Sequence, residues 1–561
     1  MTAMDEKPKR KEIAEGFAIK TWWQKGVIYQ IYPLSFKDSN GDGLGDISGI
    51  IEKLDYLNDG TENSLGVDAI WLSPVNSSPM QDFGYDVSDY NNIDSVFGSM
   101  SNFRRLLDES HRRNIKVIMD LVVNHTSDQH PWFLESSSSK NNPKREWYIW
   151  KNGVNNKPPN NWQSCFGGPA WEYDSTTKEY YLHSFLKEQP DLNWRNPQVK
   201  QAIFDVIRFW LEMGVDGFRL DVVNYYFKDA LLRNNPPKRP ANLRDLIAGV
   251  IYSYAKHHHT YDKDQPEMFD LLKDMRELVD SYGEKLLLGE VGSDRNTEMA
   301  TRYYGKNNDG LHLSFNFDFL HSPWNANSFK RIIMEWEKGL PSWAWPTYVL
   351  SNHDVVRHIS RYCRGVNSEA CAKVAISMLL TLHGTPVIYY GEEIGMKEGN
   401  IPKRLLKDPT GKRFWPLFQG RDGCRTPMQW DNSANAGFSN ISPWLPVNRG
   451  YKTNNVKFQH DEPDSLLNTY RKLIWFRKKS PALTSGSLEF VNTNNGKVLG
   501  YKRITDNDFM TILLNFSEKE EAIQFSEEQK LSICLSLNSR RSGLIKSRIL
   551  NMEPYEAIIA V

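Results

Sequence analysis

The stretch GFRLDVVN, residues 217–224, sets the reading of the whole chain. The run before and into it, VDGFRL, reads as a buried strand, and it ends on Arg219 and Asp221, two positions apart. Residues i and i+2 of a strand share a face, so both polar groups point the same way. A cation beside an aspartate keeps that aspartate ionised, as a nucleophile must be near neutral pH. A purely structural ion pair at a strand end carries the same signature, so the octapeptide alone leaves both readings open.

Three other apolar runs close on polar residues in the same manner. KLLLGE ends on Glu290, YVLSNHD on His353 and Asp354, and IKVIMDLVVNH carries Asp120, Asn124 and His125. With VIYQIY (27–32), VDAIWL (67–72), LSFNF (313–317) and PVIYY (386–390) they make eight buried-strand patterns separated by helical ones. That series predicts an α/β chain folded as a (β/α)8 TIM barrel, with its active site at the C-terminal strand ends. One intervening helix is legible in detail. Asn196 is its N-cap and Pro197 its first residue; Val199, Ile203, Val206, Ile207, Trp210 and Leu211 form one apolar face, and Gly214 ends it.

Two gaps exceed ordinary loops. Roughly 90 residues rich in Asn, Pro, Ser and Trp separate the third and fourth strands, and a gap of that size needs structure of its own. Residues 225–280, which include NPPKRP and KHHHTYDKD, predict an enlarged loop at the active site; consecutive histidines face different directions, so His257 to His259 are expected as a solvated loop and not a metal site. Beyond about Leu483 short alternating runs (SLEFV, KVLGYKR, FMTILLNF, LSICLSL, PYEAIIAV) predict an antiparallel C-terminal β-sandwich.

The 561 residues balance 69 basic against 69 acidic side chains, which gives no reason to expect a nucleic-acid partner. Five scattered cysteines predict free thiols in a reducing compartment. The charged opening MTAMDEKPKRKEIAEGF has no apolar core, and no run approaches the ~18 residues of a membrane span. The expectation is a cytoplasmic protein without a membrane partner, a monomer or weak homo-oligomer, with residues 1–20 a mobile leader.

Taken together, the four runs that end in Asp120 to His125, Asp221, Glu290 and Asp354 resemble the conserved regions of the α-amylase family of glycoside hydrolases, family 13. The resemblance extends from about Trp22 to the C-terminus. It implies a catalytic barrel, domain A, over residues 21–124 and 195–483, an inserted domain B over 125–194, and a domain C over 484–561. It implies that Asp221 is the nucleophile, Glu290 the general acid/base, and Asp354 the acid that holds the sugar's 2- and 3-hydroxyls. Arg219 would orient Asp221, and His125 and His353 would donate to glucose hydroxyls; Asp120 and Asn124 would be supporting residues.

The segment MQDFGYDVSDY (80–90) resembles that of members cutting single glucose units from the non-reducing end. In those, an aspartate, here Asp82, pairs with a later arginine, taken as Arg425 in GRDGCRTPMQW, and Tyr85 is a stacking platform. NNWQSCFGGPAW and QPDLNW resemble the α-glucosidase and oligo-1,6-glucosidase branch, with Phe166 a pocket wall. Such an enzyme would act on small oligosaccharides. Linkage stays open: Val222 points to α-1,6 cleavage, while NYYFKDALLRNNPP resembles bacterial α-glucosidases of narrow disaccharide preference. A transglycosylase is a further alternative; sucrose isomerisation is disfavoured by the absence of an RLDRD loop. A catalytically silent, transporter-associated relative is disfavoured because all three carboxylates are present.

DSNGDGLGD (38–46) places Asp38, Asn40, Asp42 and Asp46 at alternating positions with the Leu44 carbonyl between them, a hard-oxygen set suited to one structural Ca²⁺ or Mg²⁺. It is not an EF-hand, because position twelve is Gly49. A metal-free Asx-rich turn is the alternative.

Overall fold

Eight short strands carry the apolar runs: β1 (Ile28–Ile31), β2 (Ala69–Leu72), β3 (Lys116–Leu121), β4 (Gly217–Leu220), β5 (Leu286–Gly289), β6 (Leu313–Ser314), β7 (Thr347–Val349) and β8 (Thr385–Tyr389). They form one parallel sheet in the order β6-β5-β4-β3-β2-β1-β8-β7, and a parallel bridge between Phe315 and Thr347 joins its two edges into a barrel. All eight predicted strands are present. The computed structural model describes residues 21–240, 242, 249–292, 296–365 and 367–561, so the expected leader, residues 1–20, lies outside the described residues.

The strand period of two sorts the side chains into two cores. Ile28, Ala69, Trp71, Ile118, Leu286, Leu288, Leu313, Val349 and Val387 fill the barrel interior. Their neighbours Tyr29, Ile70, Leu72, Val117, Met119, Phe218, Leu220 and Leu287 face the surrounding helices. The interior phase on three adjacent strands therefore runs Ile118–Asp120, Gly217–Arg219–Asp221 and Leu286–Leu288–Glu290. Each series begins in the packed core and ends in a carboxylate at the C-terminal rim. Gly217 lets β4 and β5 approach, since a Cβ there would stand 2.5 Å from the Leu286 carbonyl oxygen.

The helix that returns the chain to β4, α1 (Pro197–Met213), starts and stops as its sequence dictates. The Asn196 side chain accepts from Gln198 N, Pro197 needs no donor at N1, and Gly214 closes the helix at φ 109°. Such an N-cap contributes about 1 kcal/mol.

Between β3 and β4 the chain builds a three-stranded antiparallel sheet from Trp150–Lys151, Trp171–Asp174 and Glu179–Leu182, packed on Trp162 and Ala170. The C-terminal region is a six-stranded antiparallel sheet, with β9 (Ser487–Phe490), β10 (Val498–Ile504), β11 (Phe509–Asn515), β12 (Glu521–Leu537), β13 (Gly543–Met552) and β14 (Ala557–Ala560) in the order β9-β10-β11-β14-β12-β13. Strand β13 and the first half of β12 have no counterpart in the expected strands. β13 lies at the sheet edge with mostly exposed side chains, so no burial pattern marks its sequence.

Two expectations are corrected. Cys363 and Cys371 form a disulfide, because the helices His358–Tyr362 and Ser368–Thr381 bring their Cα atoms to 5.4 Å; Cys165, Cys424 and Cys534 are free. The triple histidine is not wholly solvated. His259 is buried, lies 2.6 Å from Asp262, and stacks on Tyr254 at 3.5 Å. Among the described residues no helix is long and apolar enough to cross a membrane.

Candidate active site

The interior series on β3, β4 and β5 deliver Asp120, Asp221 and Glu290 to one cation. Arg219 Nη1 donates to Asp120 Oδ1 at 2.8 Å and to Asp221 Oδ1 at 2.7 Å, and its Nη2 donates to Glu290. The guanidinium lies over the Trp71 ring at 5.1 Å, and Trp71 Nε1 donates to Asp120. Burial pushes the Asp221 carboxyl well above its usual range, with Arg219 opposing and Glu290 and Asp120 adding to the rise. Burial likewise raises Asp120 to about 6, against Arg219.

The turn after Asp221 is conformationally unusual. Val222 has φ 35° and ψ 47°, a left-handed conformation that a β-branched residue rarely adopts. Strain of this kind is maintained only where surrounding structure over-determines it. Here Val223 N donates to the Glu290 carbonyl at 3.0 Å, tying the two carboxylate-bearing loops together.

Above the cluster lies a cavity of about 180 Å³ lined by Asp82, Tyr85, His125, Phe166, Phe185, Gln189, Asp221, Val222, Glu290, His353, Asp354 and Arg421. At ~30 Å³ per liquid water this is the room of about six waters, the scale of one sugar ring. A larger groove of about 710 Å³, near Phe269 and Trp343, contains none of these carboxylates.

Tyr85 lies parallel to the His353 ring, with centroids 5.4 Å apart, and its hydroxyl lies 2.6 Å from His353 Nε2 and donates to Asp120 at 3.1 Å. Burial lowers His353 to about 3 and His125 to about 4, so both rings are neutral at pH 7. Burial alone would raise Asp354, but His353, Arg421 and Arg425 hold its carboxyl well below the usual range.

The expected partner of Asp82 is corrected. Arg421 Nη2 donates to Asp82 Oδ1 at 2.6 Å, and the same side chain reaches Asp354 at 3.2 Å and Asp408 at 2.7 Å. Arg425 is fully buried behind the cavity, where it donates to the His353 carbonyl at 2.8 Å and to Asp354 at 3.0 Å. The two arginines are one helical turn apart, in and beside the short 3₁₀ turn Asp422–Arg425, and only the first lines the cavity. Arg421 also lies 5.2 Å from the Phe166 ring, placing Phe166 on the wall.

Sequence reasoning did not single out Arg421, Gln189, Phe185 or Asp408. Arg421 and Gln189 sit within GRDGCRTPMQW and QPDLNW, so the segments were visible and the facing residue was not. Gln189 Nε2 is 3.1 Å from His125 Nε2 and 3.4 Å from Asp82 Oδ2.

In the 38–46 loop the oxygens are all hard donors, and the acids hold the loop's own groups. Asp38 accepts from the amides of Asn40, Gly41 and Gly43 and from Ser439 Oγ, and Asp46 caps the helix Ile47–Glu52 through Gly49 N. Asp42 accepts from Leu44 N and from Asn40 Nδ2, so Leu44 keeps its carbonyl outside these bonds. Among the described residues no three His, Cys, Asp or Glu side chains are gathered as a metal cage.

The catalytic-domain model described as "Alpha amylase, catalytic domain" matches residues 30–486. A probable alpha-glucosidase of Rhizobium meliloti (strain 1021) is 45% identical, covering 89% of this chain and 90% of the relative. An oligo-1,6-glucosidase of Parageobacillus thermoglucosidasius is 40% identical over 89% of this chain and 91% of its own. Among solved structures, an alpha-glucosyl transfer enzyme, XgtA, superposes with a TM-score of 0.89 at 39% identity, over 97% of this chain and 99% of that one.

Proposed function

The chain belongs to the α-amylase family, and we propose that it is an exo-acting, retaining α-glucosidase that releases glucose from the non-reducing end of short α-glucosides. One observation carries the reading. Arg219 holds Asp221 and Glu290 on neighbouring guanidinium nitrogens, and both carboxyls line a one-sugar cavity that the Arg421–Asp82 pair also lines. Carboxyls so close suit the retaining separation of ~5–5.5 Å better than the ~6.5–9.5 Å of inverting enzymes.

In this mechanism Asp221 attacks the anomeric carbon while Glu290 gives its proton to the departing glycosidic oxygen, leaving a glucosyl ester on Asp221. Glu290, now a carboxylate, takes a proton from water, and that water displaces Asp221 and restores the starting charges. Asp354, held ionised by its arginines, grips the 2- and 3-hydroxyls. Neutral His353 and His125 line the cavity, His353 Nε2 facing the Tyr85 hydroxyl at 2.6 Å and His125 Nε2 the Tyr85 carbonyl at 2.9 Å.

A second reading, oligo-1,6-glucosidase, is favoured by Val222 lining the cavity and by relatives bearing that name. Glucosyl transfer to a sugar acceptor is the third, prompted by the similarity to the alpha-glucosyl transfer enzyme. We also propose that residues 38–46 take one structural Ca²⁺ or Mg²⁺ through Asp38, Asn40, Asp42, the Leu44 carbonyl and Asp46; the all-oxygen donor chemistry supports it, and some acid-to-amide bonds would yield to the ion.

Initial rates on maltose, isomaltose and sucrose, with the anomer of the first-formed glucose read by NMR, test the reading. Net retention with maltose or sucrose preferred supports it, and isomaltose preference selects the second. Initial release of β-glucose would overturn the retaining mechanism.

A further inference from the structure

Lys228 is a buried cation outside the set of cavity-lining residues. Its ammonium uses all three donors, on three separate segments. Nζ donates to Asn124 Oδ1 at 2.8 Å in the loop after β3, to Asp191 Oδ2 at 2.7 Å where the inserted module returns to the barrel, and to the Tyr225 carbonyl in the turn after Asp221. Asp191 is fully buried and has its remaining capacity filled by Ser184 N at 2.9 Å, Ser184 Oγ at 2.5 Å and Asn124 Nδ2 at 3.2 Å.

The outputs of this knot reach the cavity. Asn124 Nδ2 lies 3.1 Å from His125 Nδ1, and His125 pairs through its backbone with Asp191. Two residues before Asp191, Gln189 touches both His125 and Asp82. At its other end, Lys228 holds the carbonyl of Tyr225, whose amide donates to the Val222 carbonyl at 2.8 Å.

We propose that Lys228 is a positioning residue: it clamps the inserted module to the turn after Asp221 and so sets His125 and Gln189 against the terminal glucose. A compact ammonium suits three convergent oxygens, whereas a planar guanidinium does not. Removing it leaves Asp191 buried and unpaired beside His125, so Asp191 must move or take a proton, and His125 and Gln189 move with it.

The inference rests on the α-glucosidase reading, and its test separates the two. Lys228→Met, Asp191→Asn, their double variant and Asn124→Ala are compared with wild type for KM and kcat on 4-nitrophenyl α-glucoside, for calorimetric glucose binding, and for Tm. Wild type that does not turn over the glucoside sinks the functional reading, while glucose binding still reads the clamp. For Lys228→Met the expectation is a tenfold or larger rise in both KM and glucose Kd, with the double variant no worse than the poorer single. If Lys228→Met does not fold, Asn124→Ala carries the test with the same expected direction. A folded variant with KM and Kd within twofold of wild type overturns the proposal, as do fully additive losses. A purely structural role would lower Tm and leave both constants in place.

Discussion

Arg421 Nη2 donates to Asp82 Oδ1 at 2.6 Å, and both residues line the cavity. Burial pushes the Asp82 carboxyl up, and Arg421 is the largest influence holding it down. The pair lines the cavity, and Arg425 supports it through the Asp354 carboxylate that both arginines reach.

Arg421→Ala should lower kcat/KM on maltose by about a hundredfold or more, chiefly through KM, because it leaves Asp82 and Asp408 buried without their cation. Arg425→Lys should cost stability and kcat through His353 and Asp354, with a smaller change in KM. Steady-state kinetics on the two variants checks this, and equal KM increases would return Arg425 to the role expected from sequence.

Asp221→Asn should remove at least roughly 10³-fold of kcat while the far-UV CD spectrum and glucose binding persist, the scale of losing a group that acts in the bond-breaking step. Turnover within tenfold of wild type would move the nucleophile elsewhere.

Val222→Thr keeps the shape and β-branching of the side chain while adding a hydroxyl at the cavity wall. The maltose-to-isomaltose rate ratio should rise by at least about fivefold, a difference of roughly 1 kcal/mol in transition-state binding. A ratio that does not move leaves linkage preference to the loops around the cavity.

His130 caps the helix Pro131–Ser138 by accepting from Trp132 N, and burial lowers its pKa to about 3, against about 6.5 in an unfolded chain. A histidine whose folded pKa is depressed contributes stability that is present above about 6.5 and is lost as pH falls toward 3. His130→Asn retains a capping acceptor and removes the titration. The variant should therefore gain on wild type by about 2 kcal/mol between pH 7 and pH 5, measured by denaturant unfolding. A pH-independent difference between the two would mean that His130 titrates alike in the folded and unfolded chain.

If residues 38–46 hold a cation, millimolar Ca²⁺ should raise the Tm of EDTA-treated protein by several degrees, and Asp38→Ala should abolish the increment. Identical melting curves with and without Ca²⁺ and Mg²⁺ would leave the loop as an Asx-rich turn.

The eight strands, the helix from Asn196 to Gly214 and the carboxylates Asp221, Glu290 and Asp354 could all be read directly, because each is written in local period and punctuation. A buried strand must be apolar on both faces, and its first polar residue marks where the packed interior ends. The interior phase that carries Ile118 to Asp120 and Leu288 to Glu290 is set by the strand geometry alone. The edge strand Gly543–Met552 was not legible, since an edge buries too little to leave a pattern.

What only the tertiary structure decided is which of two similar groups meets a partner far away in the chain. Asp82 lies 339 positions from Arg421, and nothing local distinguishes Arg421 from Arg425. The engagement of Lys228 with Asn124, 104 positions away, and with Asp191 is of the same kind. Each depends on where separately folded segments bring their side chains, and burial then decides the matter by penalising any charge left without its counterpart.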